Sequence, residues 1–166
     1  MIILFLKKNC EKIMALIVYV DDMVVTGKDP SKQKALKEYL SREFKMKDLK
    51  DLKYFLRIEV SRSPKGIFLS QKKYAIDLLS ETRMSAYQPS ETPMEDGLKL
   101  EVKEDQVPVN KGRYQRLVGK LMYLAYTRPD ISYALSTVSQ FMHNPGEKYM
   151  QAVMKIINYL KAALGK

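Results

Sequence analysis

The chain of 166 residues has no tryptophan, one cysteine, one histidine, and only seven glycines and seven prolines. A lone thiol, Cys10, cannot form an intramolecular disulfide, and Cys10 with His143 cannot complete a four-ligand zinc site, so disulfide scaffolds and zinc fingers are excluded. Long hydrophobic runs are missing as well. The opening MIILFLKK places a short apolar run ahead of its lysines, the wrong order and length for a signal peptide. The longest apolar stretch beyond it, Met14 to Val25, carries Asp21 and Asp22 and cannot cross a bilayer. With no signal peptide and no transmembrane segment expected, the sequence reads as intracellular, without a membrane partner. Internal repeats and low-complexity tracts are absent too, which removes solenoids and arrays.

What is present in excess is positive charge and apolar surface. Against 19 Asp and Glu stand 29 Lys and Arg, a net charge of +10, and 46% of the residues are apolar, enough for one sizeable core or two small ones. The charge favours a polyanion, nucleic acid before membrane, although a solvated lysine-rich surface carries the same excess. It is unevenly spread, because ETPMEDGLKLEVKED is acidic and sits among Pro89, Pro93, Gly97 and Pro108. Composition therefore predicts three parts: a first module over residues 1–85, an acidic, proline-containing linker over 86–110, and a second module over 111–166.

The first module reads as α+β. ALIVYV and MVVTG are β-branched runs on either side of Asp21 and Asp22, predicting two strands joined by a tight turn. Asp29 and Pro30 form an N-cap and first-turn pair for a helix over 30–44, with Ala35, Leu36, Tyr39, Leu40 and Phe44 as its apolar stripe. KYFLRIEVSR, Pro64–Lys65–Gly66 and IFLSQ predict a second hairpin, followed by a helix over 72–82. The second module reads as helical throughout. Leu117, Val118, Leu121 and Leu124 share one face while Arg113, Arg116 and Lys120 share another, and Pro129 and Pro145 each open a further helix.

Chemistry is best sought at Asp21 and Asp22. Two adjacent carboxylates between apolar strands call for compensation, and hard divalent cations such as Mg²⁺, roughly 3.5–4 Å apart in two-metal phosphoryl-transfer sites, would provide it. Successive residues of an extended chain point to opposite faces, so Asp21 is the first choice for a direct ligand unless the turn re-aims its neighbour. The same pair also suits a hydrogen-bonded turn, and spacing alone does not choose between the two. Arg113, Arg116, Lys120 and Arg128 are the candidate phosphate contacts, with an ordinary solvated face as the alternative. Tyr54, Tyr74, Tyr114 and Tyr126 are spaced as core aromatics, with base stacking as the alternative, and none is nominated as a stacking residue on spacing alone. His143, at a helix junction, reads as structural.

Taken together, ALIVYVDDMVVTG, REFKMKDL, LKYFLRIEV, GIFLSQKKY, ETPM, YQRLVGKLMYLAYTRPDISYALSTVSQFM and INYLK resemble the copia-type reverse transcriptase of long-terminal-repeat retrotransposons, in that family's order and spacing. The resemblance implies a partial palm of β-hairpins packed on helices, followed by a mostly helical thumb and connection. It makes Asp21 and Asp22 two of three metal-binding catalytic carboxylates and sets Tyr19 beside the primer end. It places Tyr54 and Arg57 in the primer grip. Mg²⁺ or Mn²⁺ would be the cofactor, and an RNA/DNA template-primer the partner. The family's fingers and third carboxylate lie upstream of these motifs, so RNA-directed DNA synthesis by this chain alone is not expected unless another part of a polyprotein or a partner completes the site. A non-catalytic nucleic-acid-binding remnant, or a truncated product without a role, is the alternative. Lys50 and Arg57 stand where the family usually has glycine, Tyr149 where it has histidine, and Asn158 where it has arginine. A strand from Leu16 to Val20 left without its palm neighbour is expected to be an exposed edge that seeks another chain.

Overall fold

A computed structural model describes residues 2–9, 12–84, 88–95 and 107–163. Cys10 and much of the expected 86–110 linker lie outside these residues. The fold is α+β, and the chain divides into two compact units, residues 1–56 and 57–166.

In the first unit, β1 (Ile2–Asn9), β2 (Lys12–Tyr19) and β3 (Asp22–Gly27) form an antiparallel sheet in the order β1-β2-β3. Register runs from Ile2↔Tyr19 to Asn9↔Lys12 on one side of β2, and from Met14↔Gly27 to Tyr19↔Asp22 on the other. The expectation of an unpaired edge at Leu16 to Val20 is thereby corrected. The opening IILFLKKN is itself a strand and covers β2, so among the described residues the free edges of this sheet belong to β1 and β3. The close of β3 needs a residue without a side chain, because a Cβ on Gly27 would stand 2.7 Å from the Ile13 carbonyl oxygen and 2.9 Å from Met14 Cα.

Helix α1 (Pro30–Phe44) begins as its sequence predicts, with Pro30 in the first turn and Asp29 Oδ1 accepting the Lys32 N–H at 3.2 Å. That backbone hydrogen bond, together with the nearby Lys12 and Lys32 ammonium groups, holds the Asp29 carboxyl below its ordinary value. The helix stops where Lys45 turns left-handed at φ 52°. Its apolar stripe is only half used: Leu36 and Leu40 are half-buried, whereas Tyr39 and Phe44 face solvent. None of the described side chains in this unit is fully buried.

The second unit holds the core. Its hairpin, β5 (Ile58–Ser63) and β6 (Gly66–Ser70), turns at Pro64–Lys65 with Ser63 opposite Gly66, as its sequence predicts. The run KYFLRIEV, by contrast, is not one strand. A two-residue strand, β4 (Tyr54–Phe55), ends at Leu56 and Arg57, whose φ values of 51° and 60° turn the chain before β5 starts. Two consecutive left-handed residues make a tight turn that sequence reading attributes to glycine or asparagine, so leucine and arginine conceal it.

Helices α2 (Lys72–Glu81), α3 (Lys111–Leu124), α4 (Ser132–Ser139) and α5 (Glu147–Ala163) then pack together, with a 3-10 turn at Pro129–Ile131 leading into α4. Leu117, Val118, Leu121 and Leu124 of α3 meet Ala134, Leu135 and Val138 of α4 and Val153, Ile156 and Leu160 of α5 in one buried cluster, the faces predicted from spacing. Although the sequence grouped α2 with the hairpins, its Ala75, Leu78 and Leu79 are buried in that same cluster. The Tyr114 hydroxyl, inside the core, donates to the Val138 carbonyl at 2.7 Å, and burial pushes its phenol well above the ordinary tyrosine value. Among the described residues, no helix is long and apolar enough to cross a membrane.

Candidate active-site hairpin and basic helical face

The β2–β3 connection is a two-residue turn, Val20–Asp21, closed by the Tyr19↔Asp22 pair. The turn thus lies one residue earlier than the sequence suggests, and Asp22 is already the first residue of β3. Val20 takes φ 48°, a region that β-branched residues avoid, so the tip is held under local backbone strain. Asp21 and Asp22 are both exposed, and neither carboxylate forms a hydrogen bond or ion pair with a described residue. The expectation that apolar flanking strands leave these charges in need of a compensating partner is therefore corrected: both residues are open to solvent. Two adjacent, unengaged carboxylates still suit a hard divalent cation, which prefers oxygen donors. Among the described residues, no third histidine, cysteine, aspartate or glutamate joins them as a ligand cluster. Tyr19 shares the hairpin tip and is about one-third exposed, at 36%.

The residues expected at the primer grip are placed differently from one another. Tyr54 is half exposed. Arg57 forms an ion pair with Asp77 of α2 at 3.6 Å, and its guanidinium lies 5.6 Å from the centre of the Tyr74 ring. Its charge is thus shared with α2.

On the helical face the four basic candidates separate into two kinds. Arg113 and Arg116 are exposed on α3, and neither guanidinium has a partner among the described residues. The backbone N–H of Arg113 is capped by Asn110 Oδ1 at 2.8 Å, which starts the helix. Lys120, partly covered, forms an ion pair with Glu81 of α2. Arg128 is committed within the fold: its guanidinium donates to both carboxylate oxygens of Asp130 at 2.9 and 2.6 Å, and Asp130 also accepts from the Tyr159 hydroxyl at 2.9 Å. The Arg128 hydrogen bonds, helped by Tyr159, hold the Asp130 carboxyl below its ordinary value. Sequence spacing alone could not separate Arg128 from the free arginines, because its partners include Tyr159 of a distant helix.

Tyrosines also divide. Tyr114 is core, as its spacing predicts, but Tyr126 is 83% exposed, against expectation, because it lies just past the end of α3.

A family model described as reverse transcriptase (RNA-dependent DNA polymerase) matches residues 2–96. The chain is 43% identical over 157 residues to the retrovirus-related Pol polyprotein from transposon RE1 of Arabidopsis thaliana, covering 95% of this chain and 11% of that polyprotein. It is 38% identical over 159 residues to the corresponding polyprotein from transposon TNT 1-94 of Nicotiana tabacum, covering 90% of this chain and 12% of that protein. An uncharacterized mitochondrial protein of Arabidopsis thaliana is 38% identical over 151 residues, 91% of this chain and 62% of its own length. No solved structure matches. The chain belongs to the reverse transcriptase (RNA-dependent DNA polymerase) family. Its polyprotein relatives place it in the copia-type retrotransposon branch, and it spans only about a tenth of their length.

Proposed function

We propose that the β2–β3 hairpin carries two of the three catalytic carboxylates of RNA-directed DNA synthesis, with Asp21 and Asp22 as metal ligands and Tyr19 beside the primer end. The observation that supports this most is the pair of adjacent, exposed carboxylates at a strained turn, with no described residue engaging either. A divalent cation, Mg²⁺ or Mn²⁺, held there would stabilise the negative charge that develops as a primer 3′-hydroxyl attacks a deoxynucleotide α-phosphate. Asp21, in the turn, and Asp22, at the start of β3, supply the oxygen donors. Residues 1–85 take the part of a partial palm in this reading, 86–110 that of a linker, and 111–166 that of a thumb and connection. Arg113 and Arg116 meet the phosphates of a template-primer, while Tyr54 and Arg57 border the primer. Among the described residues no third acidic side chain joins the pair, and in this reading a further segment of a polyprotein completes the site for primer extension.

RNA-templated primer extension by the folded chain with Mg²⁺ or Mn²⁺, beside Asp21→Asn, tests this reading. No extension by either is expected. Extension that vanishes in Asp21→Asn would show that a carboxylate within the chain takes the third place, overturning the need for a completing segment. Restoration of extension by a longer polyprotein segment, lost again in Asp21→Asn and Asp22→Asn, is the positive outcome.

A second reading, nucleic-acid binding without catalysis, is favoured by one observation: the exposed, unengaged guanidinium groups of Arg113 and Arg116. Salt-sensitive hybrid binding without restorable extension would support it.

A further inference from the structure

Tyr74 of α2 and Tyr123 of α3 meet edge to face, their ring centres 5.5 Å apart at 89°. Tyr123 in turn meets Tyr126 at 6.2 Å and 69°, and the Arg57 guanidinium caps the far end over Tyr74. The four side chains form a ladder whose two ends, Arg57 and Tyr126, are exposed and whose middle rings, Tyr74 and Tyr123, are half-buried. Its position is fixed from beneath, because Gln71, only 4% exposed, accepts a hydrogen bond from the Thr127 hydroxyl at 2.8 Å and so ties the start of α2 to the end of α3. The outermost ring, Tyr126, makes little use of its apolar faces in the fold, although tyrosine is a residue whose burial is worth much.

Cations run beside the ladder. Arg116, Lys120 and Tyr123 follow one another at i, i+4 and i+7 on α3, a stripe of roughly 10 Å on one side of the helix. Arg116 has no partner among the described residues. The carboxylates opposite Lys120 and Arg57, Glu81 and Asp77, are about half exposed, so exchanging them for phosphates costs little. Residues 106–166 hold nine basic and two acidic side chains, which gives this part of the chain the sign a polyanion requires.

We propose that Tyr126 and Tyr123 stack on the bases of an unpaired nucleic-acid strand whose phosphates lie along Arg116 and Arg57, making this face of the second unit a single-strand platform. Aromatic rings flanked by cations suit unpaired strands, whose bases offer open π-faces; in a duplex those faces are already stacked. Such binding is indifferent to base sequence. The inference deepens the nucleic-acid reading above and rests on it for the class of ligand, but it is independent of Asp21 and Asp22.

The test is fluorescence anisotropy of the full chain with a short labelled oligothymidylate and, separately, with a blunt RNA–DNA hybrid duplex. Tyr126→Ala, a substitution at an exposed site, is expected to weaken oligothymidylate binding by about tenfold and to leave hybrid binding unchanged, whereas Tyr126→Phe keeps wild-type affinity. Arg116→Gln should reduce the salt slope on the single strand by about 0.7. Because the chain has no tryptophan, quenching of tyrosine emission by the oligonucleotide is a second readout, and Tyr126→Ala should diminish it. Wild-type binding by Tyr126→Ala overturns the platform, as does an equal loss on hybrid and single strand. Arginine-dependent binding that ignores both tyrosines overturns it too while leaving the nucleic-acid reading intact. Failure of the wild-type chain to bind either probe removes both. Tyr133→Ala, at another exposed tyrosine on α4 outside the ladder, should bind as wild type.

Discussion

Lys50 and Arg57 adopt the same left-handed backbone, with φ of 65° and 60°, a conformation that glycine takes without steric cost. A side chain there adds a Cβ where the backbone disfavours one, at about 1 kcal/mol or more per residue. Lys50→Gly should therefore raise stability by about 1 kcal/mol, read as a higher urea midpoint at unchanged slope. Arg57→Gly should gain less, because it also loses the Asp77 ion pair and the Tyr74 contact. A destabilised Lys50→Gly would show that the Asp48 carboxylate, which accepts the Lys50 N–H at 2.9 Å, relies on a stiffer neighbour.

Gly27 makes the opposite prediction. Gly27→Ala drives a Cβ into the Ile13 carbonyl and the Met14 backbone, neither of which can swing away. A loss of about 1–3 kcal/mol is expected, with faster amide exchange along β2 and β3 as the site-specific readout, and unchanged exchange in α3 and α5.

Acid should act through Asp130. Its carboxyl is held below the ordinary value of 3.8 by Arg128 and Tyr159, so the native state releases that proton more readily than the unfolded chain does. The stabilisation is fully present above the unfolded value and is lost as pH falls through the lower folded one. Asp130→Asn should cost about 1 kcal/mol or less near neutrality, and the gap from wild type should close in denaturant titrations as pH falls below the ordinary value of 3.8. A gap that stays constant over that fall would place the effect in packing and not in charge.

Strand β1 should govern self-association. It is a free edge, and Leu4 and Leu6 on it are more than half exposed. Leu4→Lys with Leu6→Lys should shift sedimentation at high concentration toward the monomer, since charges on an edge discourage pairing with another chain. The same substitutions on an interior strand would instead unfold the sheet, so retained amide protection in β2 separates the two effects.

The helical core was legible because its signals are local and repetitive. Leu117, Val118, Leu121 and Leu124 recur at helical spacing, and Asp29 and Asn110 each cap a helix by the first-turn contact their type favours. The hairpin tip was legible to within one residue for a similar reason, as apolar β-branched runs flank a polar break. Misread elements were those decided by backbone conformation or by distant partners. The turn at Leu56–Arg57 carries no turn residue. IILFLKKN carries no alternation of apolar and polar residues to mark it as a strand, and its pairing with β2 decides which edge is free. Tyr126 follows helical spacing, yet lies just beyond the helix end that would have buried it. Arg128 looks like its neighbours on the chain until Tyr159 brings Asp130's third hydrogen bond.

Because every fully buried described side chain lies at or beyond Gln71, the two units differ in their tolerance to mutation. A variant library sorted only for a folded chain would be depleted at Val153, Ile156 and Leu160, and almost blind to Asp21 and Asp22. Selection for folding thus protects the helices and leaves the carboxylates to drift. In any lineage of such chains, the fate of that exposed pair records whether chemistry, and not merely a stable product, was being inherited.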